Sequence, residues 1–314
     1  MNRYLVLRVG QALLVLWAAF TLSFILLQAM PGDAILIKFQ NPDLGLSAEQ
    51  IAQLRLSYGA DTPVLTQYFH ALAQILRGDL GLSIQAGVPV TELITANLPP
   101  TLLLAVLGFI AAGLLALALA FLSTLTPFQW LRTVLQSLPS LFISVPTFWL
   151  GIVLIQIFSF RLGLIPIINP GEWEGLILPV LTLALPISAP LAQVLMRSID
   201  QVQTQPFVAV ARAKGASRSG VLWRHIARNA MLPTLTIAGL LLGELIAGAL
   251  ITETVFGRNG LGQLTQEAVN YQDSSVLQAI VLISATAFVV VNLAVDLLYP
   301  LLDPRLKRAP GATL

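Results

Sequence analysis

VARAKGASRSGVLWRHIARNAMLPTLTIAGLLLGELIAGALIT, residues 210–252, changes character part-way along. Its first half holds Arg212, Lys214, Arg218, Arg224 and Arg228, five of the 17 basic residues in a chain of 314. From residue 231 onward it is apolar for about 20 residues, the length a helix needs to cross a ~30 Å hydrocarbon core. Five further stretches satisfy the same length and polarity criteria. The predicted spans lie near 9–29, 99–123, 133–159, 175–196, 231–252 and 277–299. The expected fold is an all-α polytopic membrane protein with six transmembrane helices in a single domain, 1–314.

Composition agrees. The chain is 56% hydrophobic and 10% charged, with a mean hydropathy of +0.83, against roughly 25% charged residues in a soluble domain. A net charge of +2 is too small to point to nucleic acid; the expected surroundings are a lipid bilayer. Cysteine is absent, which removes disulfides and thiolate sites. Arg3 and Arg8 precede the first apolar run as in a signal peptide. That run exceeds the ~7–15 residues of a typical signal core, and QAMPGDA is a poor cleavage site, so it reads as a retained helix.

The basic residues set the orientation. With the N-terminus inside, twelve of 17 fall on the inner side: Arg3, Arg8, Arg132, Arg197, the five above, Arg305, Lys307 and Arg308. Both termini and the segment 197–230 are then expected in the cytoplasm, and 31–97 outside. The outer segment carries six acids and three bases. Ser47 followed by Glu49 and Gln50 predicts a helix start, Leu65–Leu76 has helical apolar spacing, and glycines 78, 81 and 87 punctuate the stretch after it. A solvated connector and a docking surface both remain open for this segment. Arg77-Gly78-Asp79 spells an adhesion tripeptide, but three residues recur by chance and carry no argument.

Prolines 139, 146, 179, 186 and 190 fall inside the third and fourth predicted spans, where each removes a backbone hydrogen bond and favours a kink. In the fifth, Gly239, Gly243 and Ala247 form a small-xxx-small stripe that predicts close helix packing. Glu244 sits near mid-span, where a carboxylate is expensive; a structural hydrogen bond and a pathway-lining role are both open. Asn292 and Asp296 share a face of the sixth span.

No chemistry of catalysis is legible. There is no G-x-x-x-x-G-K-[ST] loop and no G-x-S-x-G context, and GRNGLG at 257–262 has the wrong spacing for a phosphate loop. His70 and His225 fall on opposite sides of the predicted membrane and cannot share a metal. Neither a catalytic residue nor a metal or other cofactor is expected in the chain itself. A channel or transporter is implied, driven by an ion gradient acting through Glu244 and Asp296 or by another subunit. The basic segment bears on that choice. Pro206–Lys214 reads as a helix ended by Gly215, Ser217 or Ser219 caps a second helix through Arg228, and Pro233 opens the next span. Two short helices with a tight turn make a projection able to transmit force from a soluble partner. Positive-inside bias alone accounts equally well for the charge.

At these residues the sequence resembles the permease subunits of binding-protein-dependent ABC importers, in the branch serving dipeptides, oligopeptides and nickel, and the first of its two permeases. The ordered matches are MPGD at 30–33, YGADTPVLTQY at 58–68, RGDLGLS at 77–83, LPPTLLLA at 98–105, ARAKG at 211–215, RHIARNAMLP at 224–233, ITETVFGRNGLGQL at 251–264 and NLAVDLLYPLLDPRLK at 292–307. The resemblance implies a type I permease fold and makes the loop between spans four and five the ATPase-coupling element, here Ala209, Ala211, Arg212, Lys214, Gly215, Ala216, Ser217 and Arg218. The wider family pattern runs Glu-Ala-Ala, three residues, Gly; this chain has Ala209, Val210, Ala211 and Gly215, so the glutamate is missing. The implied partners are a second homologous permease, two ATP-binding subunits that use ATP and Mg, and an extracytoplasmic solute-binding protein. The implied cargo is peptide, or alternatively nickel or a metal chelate. Of the loop residues, Ala211, Gly215 and the turn after them are expected to make the ATPase contact, and the Gly239 stripe part of the contact with the second permease.

Overall fold

A computed structural model describes residues 2–29, 34–39, 46–57 and 62–302. Among them the structure is helical, with a single isolated β-bridge between Leu82 and Pro89. The helices are α1 (Asn2–Ala29), α2 (Ala34–Phe39), α3 (Ala48–Ser57), α4 (Val64–Leu76), α5 (Val90–Leu125), α6 (Gln129–Ser144), α7 (Thr147–Leu154), α8 (Glu174–Gln203), α9 (Pro206–Ala213), α10 (Arg218–Val221), α11 (Ala227–Phe256), α12 (Leu261–Asn270) and α13 (Ser274–Leu302). Hydrocarbon offers the backbone no hydrogen bonds, so apolar segments of this length satisfy their own amides as helices. Five runs are long and apolar enough to cross a membrane: Leu7–Ala29, Val90–Leu125, Glu174–Gln203, Arg218–Phe256 and Ser274–Ala294.

The predicted third span is not one straight helix. α6 and α7, with the π-helical turn Ile155–Arg161 that continues α7, are bent by 106° at the break. Val145 there is extended, the conformation that a following proline favours, and Pro146 caps the start of the next helix. The 16 residues of α6 reach only ~24 Å, so the single straight helix expected at 133–159 is replaced by two helices at a sharp angle. α8, by contrast, runs unbroken through Pro179, Pro186 and Pro190.

The chain forms two compact units. One comprises Met1–Thr101 and Gly257–Val289, the other Leu102–Phe256 and Val290–Leu314. In the first, Ser47 and Gln50 make a reciprocal cap on α3: the Gln50 amide donates to Ser47 Oγ (3.3 Å) and the Ser47 amide to Gln50 Oε1 (2.8 Å). α1 and α4 meet through Phe20, Phe24, Tyr68 and Phe69, with Thr21 and Tyr68 hydroxyls 2.8 Å apart. Asp273 caps α13 and is 2% exposed; Ser83 Oγ and the Gln85 amide donate to its carboxylate. Lys38 Nζ donates to the carbonyls of Ile84 and Gln85, so the 83–85 turn is held from two sides.

In the second unit α8 packs against α6, α7 and α11. Leu183 of α8 is buried between glycines. A Cβ on Gly108 of α5 would lie 2.6 Å from Leu183 Cδ2 and 3.1 Å from its Cγ, and one on Gly248 of α11 would lie 2.8 Å from Cδ1. The close-packing small residues are therefore Gly108 and Gly248 rather than the predicted stripe alone. Within this chain Gly239 and Gly243 are buried and face inward, and of the stripe Ala247 is left exposed. Gly108→Val is expected to destabilise the purified protein by about 1–3 kcal/mol through overpacking. Leu183→Ala in the same chain should recover part of that loss in a thermal-unfolding double-mutant cycle.

Candidate functional site

Residues 205–226 form a helical hairpin whose geometry follows from local sequence. Pro206 opens α9 at its first turn, where its missing amide hydrogen costs nothing. The helix ends on Gly215, at φ +82°, a conformation that penalises any side chain with a Cβ. The Ala216 amide donates to the Ala211 carbonyl (3.2 Å) and the Gly215 amide to that of Arg212 (3.0 Å). This paired closure, six residues to one and five to two, explains the Ala-x-x-x-Gly spacing: Ala211 supplies the terminal carbonyl and Gly215 the left-handed residue after the cap. Ser217 then caps α10, accepting the Gly220 amide at 3.1 Å.

The second helix does not stop at Arg228. α10 passes through the π-helical turn Leu222–Ile226 into α11, so Arg218–Phe256 is one helical run. Pro233 lies inside α11 and does not open it. Along 39 residues, about 58 Å at 1.5 Å per residue, the second arm of the hairpin and the fifth span are a single rod. The first arm is fastened to it by apolar packing. Val208 and Ala211 of α9 join Val221, Leu222, Ile226 and the ends of α5 and α8 (Phe121, Leu195, Ile199) in one buried cluster.

The expected coupling residues thus divide. Ala209, Arg212, Lys214, Gly215, Ala216, Ser217 and Arg218 are exposed along the first arm and turn. Ala211 is 8% exposed and packs in the apolar cluster that joins the two arms of the hairpin. Three exposed apolar side chains were not singled out from sequence: Phe207, Val210 and Trp223. Trp223 leans on Phe121 with ring centroids 4.5 Å apart. Their signal was the helical phase of α9, in which Val208 and Ala211 take the inner face and leave Phe207 and Val210 outside. Arg224 and Arg228 are exposed as well, and the sequence has no acid between Asp200 and Glu244. The site is a positively charged ridge with apolar points, suited to seating in another protein. No three of His, Cys, Asp or Glu gather among the described residues as a metal site would require.

The other predicted residues lie elsewhere. Glu244 is exposed on α11, sixteen positions beyond Arg228 and ~24 Å along the axis. Asn292 is half-buried on α13, while the side chain of Asp296 and the tail with Arg305, Lys307 and Arg308 lie outside the described residues. The motif residues 30–33 and 58–61 also lie outside them. The carboxylate that burial does select on α11 is Glu253, 1% exposed and one turn beyond Ala249 on the inner face. Among the described residues Asp273 is the other buried acid; an Asp before an apolar run is a helix-cap signal that could have been read.

The family model described as binding-protein-dependent transport system inner membrane component matches residues 105–308, and that for the N-terminal part of such membrane components matches residues 1–105. The chain belongs to the binding-protein-dependent transport system permease family. Among the permease's relatives, the glutathione transport system permease protein GsiC of Salmonella typhimurium is 36% identical over 287 residues, covering 91% of this chain and 92% of the relative. GsiC of Escherichia coli (strain K12) is 33% identical over 308 residues, 98% and 99% of the two chains. Solved ABC transporters share the fold. The methionine transporter MetNI in an inward-facing form matches with a TM-score of 0.56 at 16% identity, over 68% of this chain and 97% of that one. An amino acid ABC transporter with histidines matches at 0.51 and 21%, over 68% and 94%. The permease therefore has the type I importer fold and is a multi-pass protein of the bacterial inner membrane. It works with substrate-binding and ATPase partners, and ATP hydrolysis belongs to the latter. Membership replaces the ion-gradient reading built on Glu244 and Asp296.

If the turn is held as described, Ser217→Ala removes the cap of α10 at a cost of about 1 kcal/mol. Faster amide hydrogen exchange confined to the first turn after residue 217 is the expected readout.

Proposed function

We propose that this permease is the first of two homologous permeases in an importer of small peptides. Two ATPase subunits, holding ATP and Mg, and an extracytoplasmic solute-binding protein complete the assembly. Peptide is favoured over nickel or a metal chelate by the relatives of 33–36% identity that carry the name of a glutathione permease, since glutathione is itself a small peptide. The observation that carries the coupling role is the continuity of Arg218–Phe256. A displacement of the hairpin by an ATPase moves the fifth span with it, because no loop lies between them to absorb the motion. Solute delivered outside would enter when the paired ATPases close and the two permeases rock outward, and hydrolysis would reset them.

The exposed hairpin residues would seat in the ATPase, with Arg212, Lys214 and Arg218 on its flank and Phe207 and Val210 as apolar anchors. Proteoliposomes holding this chain without ATPases should not accumulate labelled glutathione or dialanine, whereas the full assembly with ATP inside should import one of them. Gly215→Arg should insert normally yet lose uptake by an order of magnitude, because the left-handed turn resists a side chain and the ridge changes shape. Wild-type uptake with Gly215→Arg would remove the turn from the coupling step, and uptake of neither peptide by the complete assembly would overturn the cargo.

A further inference from the structure

Two exposed helix faces in the second unit differ in chemistry. On α5 the outward row is Leu103, Val106, Ile110, Leu114, Ala118 and Leu122, aliphatic throughout. Such a face suits lipid. On α11 the outward row is Pro233, Leu240, Glu244, Ala247, Ile251 and Thr254. From Pro233 to Thr254 this row rises about 31 Å, the thickness of the hydrocarbon. Glu244 stands at its midpoint, about 16 Å from either end. The opposite face of α11, with Leu241, Leu245 and Ala249, is buried. No hydrogen bond or ion pair to the Glu244 carboxylate is found among the described residues.

A carboxylate held at mid-depth against lipid is costly, and such groups face protein or a water-filled passage. Its neighbours one turn away are Leu240 and Ala247, neither of which is a counter-charge, and the small Ala247 leaves room beside it. The group complementary to a lone carboxylate is a cation, and the cargo proposed above carries one in its terminal ammonium. We propose that the Glu244 face of α11 lines the solute pathway and that the carboxylate holds the ammonium of the passing peptide. The second half of that statement rests on the peptide reading; the first half does not.

The natural absence of cysteine gives a clean test in the assembled importer. Leu240→Cys, Ala247→Cys and Ile251→Cys are compared with Ile110→Cys and Leu114→Cys on α5, using small charged methanethiosulfonates. A thiol in water ionises and reacts whereas one in lipid does not, so the α11 positions should react roughly tenfold faster or more. At Ala247→Cys the cationic reagent should be favoured over the anionic one beyond their ratio at a free thiol, and Glu244→Gln should lower that preference about threefold or more. Equal rates on α5 and α11 would overturn the pathway, and an unchanged preference would overturn the role of the carboxylate. Glu244→Asp should restore dialanine uptake that Glu244→Gln loses; indifference of uptake to both would also overturn it. Import of dialanine by the unsubstituted assembly tests the cargo separately, so failure there leaves the wall of the pathway to be judged by the thiol rates alone.

Discussion

The second arm of the hairpin and the fifth span are one helical run, and the coupling proposed for the second unit depends on that continuity. A helix resists bending because each backbone hydrogen bond would have to lengthen together with its neighbours. The run from Arg218 to Phe256 is not interrupted by a loop, and the π-helical turn at Leu222–Ile226 and Pro233 are the places along it where bending costs least. α9 is attached to this rod by apolar packing at Val208 and Ala211, and the turn between α9 and α10 is closed by backbone bonds that only a left-handed residue at 215 allows. Farther along, Gly248 admits Leu183, which brings α8 against the rod. Force applied to the exposed ridge thus has a path through covalent helix and packed core.

The other unit is organised differently. Its polar contacts converge on the turn at 83–85, where Lys38 takes two carbonyls and buried Asp273 accepts a hydroxyl and an amide while capping α13. A buried carboxylate is tolerable here because it is hydrogen-bonded by several donors and lies at a helix N-terminus. The outcome is a turn at 83–85 tied both to α2 and to the start of α13.

Much of this was legible in residues. Apolar length gave the spans, Ser47 with Gln50 gave a helix start, and Pro206, Gly215 and Ser217 gave the hairpin, because each signal acts through its own backbone. What failed to be legible depended on neighbours. Ala211 matched a family position and was expected at the contact, yet helical phase turns it into the apolar cluster. Gly239 and Gly243 look like an interface motif, yet they are already covered by this chain. Glu244 and Glu253 are both carboxylates on one apolar helix, and nothing in composition separates the exposed one from the buried one; the tertiary packing around the helix does.

The sequence by itself determined that the chain is built of long apolar helices able to cross a membrane several times, and that a tight glycine turn at 215 follows the short helix opened by Pro206. These follow from hydrophobic length, capping and left-handed backbone preference, all properties of residues within a few positions of one another. Only the tertiary structure decided that the helices at 129–144 and 147–161 meet at a bend of 106°, that the second arm of the hairpin runs on into α11, and which face of that helix is left open. Those outcomes rest on contacts between residues distant in sequence, such as Leu183 with Gly108 and Gly248, whose fit no local pattern encodes.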